Sequence, residues 1–204
     1  NNCTLTANES TYAAGALANT RQNHIININN SFITNNTAGQ IGAIFFRGDE
    51  VVTISNTTIA NNSSGSDTVL YFLAPVDVAI DNCIFENNVA TGFNALLVDD
   101  CGSFNIRNSI FRNHSSGDEG AVGLRQTTAT IENTLFHDNS AARGGALYLS
   151  TTFDQTINII GCTFTQNTAS LDGFGEAIYV LNNAPTPTLN ITNSILWDND
   201  DGDG

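Results

Sequence analysis

Lysine is absent from this 204-residue chain, and six arginines stand against 20 acidic residues, for a formal net charge of −14. A surface so poor in cations does not attract nucleic-acid phosphates or anionic lipid headgroups, which excludes both as partners. Long apolar runs are missing too, so no segment reads as a bilayer-spanning helix, and none reads as a signal peptide. Apolar residues at helical spacing are missing as well, which disfavours helical repeats. What remains is a set of short alternating segments rich in Ile, Val, Thr and Phe, separated by Asn, Gly, Ser and Asp turns. That pattern reads as strands.

These segments repeat. One phrase reads Ile54-Ser-Asn56-Thr57-Thr-Ile59-Ala-Asn-Asn62, then Ile80-Asp-Asn82-Cys83-Ile-Phe85-Glu-Asn-Asn88, and returns every 25 to 32 residues. Its apolar anchors are Leu5, Ile33, Ile59, Phe85, Phe111, Phe136, Phe164 and Leu196. A second phrase lies between the anchors: Gly42-Ala-Ile44, Gly120-Ala-Val122 and Gly145-Ala-Leu147, with degenerate copies at Thr68-Val-Leu70 and Asn94-Ala-Leu96. A fixed period of this size means a solenoid. Strands of period two inside it predict an all-β, right-handed parallel β-helix of about seven to eight coils with three parallel sheets. The β-helix is assigned to residues 1–197 as a single domain with uncapped ends, expected to continue in a longer chain or polymer. Residues 198–204 are assigned to an acidic linker or the start of a calcium loop.

Three residues before each anchor stands Asn2, Asn30, Asn56, Asn82, Asn108, Asn133 or Asn193, with Gly161 as the exception. Asn and Gly share tolerance of positive φ, so this column is read as a sharp turn, with Asn side chains able to bond from coil to coil. Alternation turns the anchors inward, with the small residues Cys3, Ser31, Thr57, Cys83, Ser109, Thr134, Cys162 and Ser194. The aliphatic columns of the Gly-Ala strands point inward also.

Phe85-Glu-Asn-Asn88, Phe136-His-Asp-Asn139 and Phe164-Thr-Gln-Asn167 match a Phe-x-x-Asn motif, and Gly144-Gly145-Ala146-Leu147 matches Gly-Gly-Ala-Ile/Leu/Val. Together they resemble the repeats of chlamydial polymorphic outer membrane proteins, within the pectate-lyase-like β-helix class. The resemblance covers nearly the whole chain. It implies the fold and an extracellular or cell-surface setting, while leaving activity open because those motifs are structural.

Four cysteines are too few to staple eight coils. Cys3, Cys83 and Cys162 lie three coils apart, about 14 Å, beyond the roughly 7 Å that a disulfide spans between Cα atoms. Cys101 follows Asp99-Asp100, and a Cys83–Cys101 link stays open; small buried thiols are the plainer reading. A polysaccharide lyase of this class needs a basic residue beside calcium-binding carboxylates, and the arginines fall in no single column. Inverting glycoside hydrolysis needs two carboxyl groups about 6.5 to 9.5 Å apart. The best local pair is Asp99 with Asp100, and the others are Asp118 with Glu119 and Asp49 with Glu50, all in turns where solvated acids are ordinary. His24, His114 and His137 share no template position.

The outward faces offer partner surfaces. Phe32, Ile84, Ile110 and Leu135 precede their anchors as an apolar ladder, and Tyr71, Tyr148 and Tyr179 follow the Gly-Ala phrase as an aromatic one. Asn35, Asn61 and Asn113 head sequons at one exposed turn position, and Asn8, Asn29, Asn62 and Asn190 head others; Asn2 and Asn56 match but are expected to be inaccessible. Asn199, Asp201 and Asp203 place oxygens at alternate positions before Gly204, the opening half of a Ca²⁺ loop or an acidic linker. No other cofactor is implied. The expected function is a non-enzymatic extracellular scaffold, acting as a stalk, fibre or adhesin segment. Its expected partners are a glycan, a surface protein, or a second copy bound end to end or laterally. The alternative is a carbohydrate-active or carbohydrate-binding β-helix.

Overall fold

The structure, a computed structural model, describes residues 2–150, 155–181 and 187–200. Among these the chain is a parallel β-solenoid without helices, its strands stacked in four sheets. The anchor sheet has eight strands, from Thr4–Thr6 to Ile195–Trp197. Three sheets of seven strands complete each coil. A short sheet runs from Glu9–Ser10 to Thr168–Ala169. The Gly-Ala sheet runs from Leu17–Asn19 to Ile178–Leu181, and an Ile-rich sheet from Ile25–Asn29 to Thr188–Thr192. Four sheets correct the expectation of three. The short sheet has two residues per strand, and two residues hold no alternation to read.

The register is the one the repeats predict. Phe85 pairs with Ile59 and Phe111, and Leu70 with Ile44 and Leu96. Phe85, Phe111, Phe136 and Phe164 are all 0% exposed. Their rings stack down the core at centroid distances of 4.4, 5.2 and 4.7 Å. The turn column three before the anchor holds positive φ throughout, from 47° at Asn133 to 58° at Asn2, with Gly161 at 63°. A second left-handed turn, two after the anchor, includes Asn35, Asn61, Asn87 and Asn113.

The small inward column forms a side-chain ladder. Thr57 Oγ1 accepts from the Ser31 amide at 3.3 Å and donates to the Ser55 carbonyl at 2.8 Å. Ser109 repeats this beneath Cys83, and Cys83 Sγ donates to the Asp81 carbonyl at 3.3 Å. A buried thiol thus takes a hydroxyl's place. Cys83, Cys101 and Cys162 are free, so Cys83 and Cys101 are not linked. Burial pushes the Cys83 thiol up to about 11 and Cys101 to about 12, which keeps both protonated and unreactive.

The main asparagine ladder lies in a column the sequence reading did not choose. Asn36, Asn62, Asn88, Asn139 and Asn167, three after their anchors, are 0–1% exposed. Asn62 Oδ1 accepts from the Asn36 amide at 3.0 Å and from Asn36 Nδ2 at 2.9 Å. Asn62 Nδ2 donates to the Ile33 carbonyl at 2.9 Å and to Asn88 Oδ1 at 3.0 Å. The column three before the anchor is exposed by contrast, and Asn82 Nδ2 to Asn56 Oδ1 at 2.7 Å is its side-chain rung.

His114 replaces one asparagine of the buried ladder. Its Nδ1 accepts from the Asn88 amide at 3.2 Å, while its buried Nε2 has no hydrogen-bond partner. Burial holds its pKa down to about 4, against 6.5 for a free imidazole. The unfolded chain therefore takes up a proton between these values that the folded chain refuses. This contribution to stability is complete above pH 6.5 and is lost as pH falls toward 4, a change of about 3 kcal/mol. Asp67, Asp99 and Glu119 shift upward and act in the opposite sense, so the comparison is with His114→Asn. That variant is expected to lose less thermal stability than the parent between pH 7 and pH 4.5. Equal losses would show that His114 is not buried as a neutral rung.

Candidate functional site

The ionisable residues gather on the outward face of the Gly-Ala sheet. The residue before each Gly-Ala phrase leads into this face: Asp67, Phe93 and Glu119 occupy that position in consecutive coils. Asp99 and Arg125 are register partners at the far end of neighbouring strands of the same sheet. Arg125 Nη2 donates to both Glu119 oxygens, at 2.9 and 3.0 Å, and its guanidinium lies 4.9 Å from the Phe93 ring centroid. Tyr71 donates to Asp99 Oδ2 at 3.4 Å. Arg143 pairs with Asp118 and lies 5.5 Å from the centre of the Tyr148 ring.

Local sequence explains why the cluster sits here. Gly120 faces the next coil so closely that a Cβ would meet the Gly144 carbonyl at 1.9 Å. Where Asn94 replaces the phrase glycine, its amide lies over Gly123, where a Cβ would meet Asn94 Oδ1 at 2.5 Å. Asn94 Nδ2 is held by the Gly120 carbonyl at 2.8 Å. The degenerate copies at Thr68 and Asn94 thus mark the coils where side chains replace bare backbone on this face.

Burial pushes the Asp67, Asp99 and Glu119 carboxyls upward, and the Arg125 charge pulls each back. The Tyr71 phenol rises to about 12, from burial and then from the Asp99 charge. Glu119 is 4% exposed and tied through both oxygens, and Asp118 is held by Arg143. Both Glu119 oxygens are thus taken up by Arg125, whereas Asp118 is held through Oδ1 alone. Asp100 points elsewhere: it is an exposed turn residue at φ 55°. Of Asp99, Asp100, Asp118 and Glu119, the structure therefore brings together Asp99, Asp118 and Glu119. It adds Asp67 and Arg125, and an alignment of the residue before each Gly-Ala phrase would have brought Asp67 to notice.

The other expected surfaces are revised. Tyr148 is 3% exposed, covered by Arg143 and by Tyr179 at 5.6 Å, and is not open to a partner; Tyr71 and Tyr179 are half-buried. Ile84, Ile110 and Leu135 form the register ladder expected of them, but each is half-buried between its coil neighbours; Phe32 is 54% exposed. Asn35, Asn61 and Asn113 are exposed, whereas Asn62 is sealed in the ladder and its sequon cannot be reached. Asn2 and Asn56 are exposed, contrary to expectation, because their turn column faces solvent. Asn199 is a ladder rung, accepting from the Asn167 amide at 3.1 Å and donating to the Phe164 carbonyl at 3.0 Å. Asp201 and Asp203 lie outside the described residues.

A hollow of about 510 Å³ on the Ile-rich sheet is lined by Asp81, Arg107 and Glu132, among others. A trough of about 860 Å³ follows the short sheet, lined by Thr37, Gly39, Ser63, Gly65, Val89 and neighbours. Glu9 is the one ionisable side chain in its lining. The profile of the right-handed β-helix region family matches residues 42–203. No curated protein and no solved structure matches the chain. With the profile spanning most of the solenoid, the chain belongs to the right-handed β-helix family.

Proposed function

We propose that the chain is a non-enzymatic scaffold segment, extracellular or at the cell surface, that presents flat sheet faces to a glycan, a surface protein or a second copy. The observation that carries this reading is the state of its carboxylates: Glu119 and Asp118 are held by Arg125 and Arg143 on a sheet face, away from the trough. Glu119 is neutralised by Arg125 within its own coil, and Asp118 with Arg143 ties one coil to the next. Glu86 with Arg112, and Asp81 with Arg107, repeat this coil-to-coil pairing on other faces. The trough, with Glu9 at one end and a column of small side chains along it, suits an extended partner laid along the solenoid.

A second reading has one specific observation in its favour. Asp67, Asp99 and Glu119, all with raised pKa, surround Arg125 beside Tyr71 and Phe93, a set that a carbohydrate-active site also uses. Incubation with neutral and acidic polysaccharides separates the two. The scaffold is expected to release neither new reducing ends nor unsaturated products. Release that disappears in Asp99→Asn would overturn it in favour of the enzyme.

A further inference from the structure

At the corner between the Gly-Ala sheet and the Ile-rich sheet, one buried carboxylate is left without a cation. Glu50 is 0% exposed, and among the described residues it makes no ion pair. Its Oε1 accepts from Asn19 Nδ2 at 3.0 Å, while its Oε2 is buried without a hydrogen-bond partner. A buried carboxylate oxygen in that state calls for a proton or an ion. The same Asn19 Nδ2 lies 3.1 Å from His24 Nδ1 and 3.2 Å from the Arg21 carbonyl. An amide nitrogen carries two hydrogens, yet three acceptors surround this one. Asp77, whose amide reaches the Glu50 carbonyl at 3.4 Å, adds a second buried oxygen without a partner, Oδ1.

We propose that this corner binds a divalent transition cation of the zinc type through Glu50, His24, Asn19 and the Arg21 carbonyl. No three acidic, histidine or cysteine side chains are grouped for a metal among the described residues. This set instead joins two such side chains to an amide and a carbonyl. Turning the Asn19 amide over brings Oδ1 to the place Nδ2 now holds, so that all four groups offer a lone pair. The turn gives up the weak bond from the Arg21 amide to Asn19 Oδ1 at 3.4 Å and the two Nδ2 donations to Glu50 Oε1 and the Arg21 carbonyl, whose acceptors then face the cation instead. An imidazole with a carboxylate and neutral oxygens suits zinc and its neighbours better than calcium or magnesium, which take oxygen alone. The backbone around the site is fixed: Val51 donates to the His24 carbonyl at 3.0 Å, and Gly48 packs on Arg21 at φ 130°. Ordered loops lower the cost of collecting ligands.

The test is titration of the intact chain with Zn²⁺ by calorimetry, and with Co²⁺ followed by its visible absorption. One equivalent is expected, with a rise in the midpoint of thermal unfolding. Glu50→Gln and His24→Ala should each weaken binding by on the order of tenfold or more, while His137→Asn should leave it unchanged. Glu50→Gln keeps the shape of the side chain, and circular dichroism confirms that it folds. Absence of binding by the parent chain would overturn the site and leave Glu50 as a buried protonated acid. Binding that survives both ligand substitutions would overturn it equally.

Discussion

Asn62→Ala is expected to cost about 3 to 5 kcal/mol, although it removes only a small polar side chain. Asn62 is 0% exposed and makes four ladder bonds, two as acceptor from Asn36 and two as donor to Ile33 and Asn88. Alanine leaves the Asn36 amide and the Ile33 carbonyl facing a dry interior, and each buried unsatisfied group costs about 1–3 kcal/mol. Glycine should be no better, since the side chain is what the position needs. The neighbour Asn61 is the control: it is exposed at φ 55°, so Asn61→Gly should be close to neutral. Chemical denaturation of the three variants checks this. Equal tolerance of glycine at both positions would remove the ladder as a source of stability.

Phe111→Ala is expected to cost about 3 to 5 kcal/mol through the core instead. Its ring is 0% exposed, stacked 4.4 Å from Phe85 and 5.2 Å from Phe136, centroid to centroid. It also touches His114 edge-on at 6.2 Å. Removing it opens a cavity that the stacked coils cannot close, because backbone pairing fixes the distance between them. Phe111→Leu, which keeps most of the volume, should cost clearly less. An alanine variant within about 1 kcal/mol of the parent in urea unfolding would mean that the anchors are not packed as a column. Because a solenoid couples neighbour to neighbour, the loss should be smaller for Leu5, half-buried at one end of the column, than for Phe111 at its middle.

The repeats made most of the fold legible, since inward columns and register follow from period and alternation alone. What stayed hidden has a physical cause in each instance. Asparagine recurs both three before and three after the anchor, and composition treats the two columns alike. Their substitutions differ. Gly161 replaces the first, as a pure demand for positive φ allows. In the second, glycine never occurs, and His114 stands in because its Nδ1 can accept the same bond. The candidate site was half legible: Glu119 and Asp118 stand out as an acidic pair, but their arginine partners come from separate positions in the chain. Asp67 and Phe93 are signalled only by their shared position before the Gly-Ala phrase, and the stacking of coils brings them beside Arg125.

Amide hydrogen exchange tests the buried ladder most directly. The backbone amides of Asn36, Asn62, Asn88 and Asn139 donate to the side chain of the next coil at 3.0 to 3.2 Å. They are expected to exchange only when the solenoid opens, as slowly as the amides of the core strands around Phe85 and Phe111. Exchange of these four at the rate of exposed turn amides would contradict the ladder that holds one coil to the next.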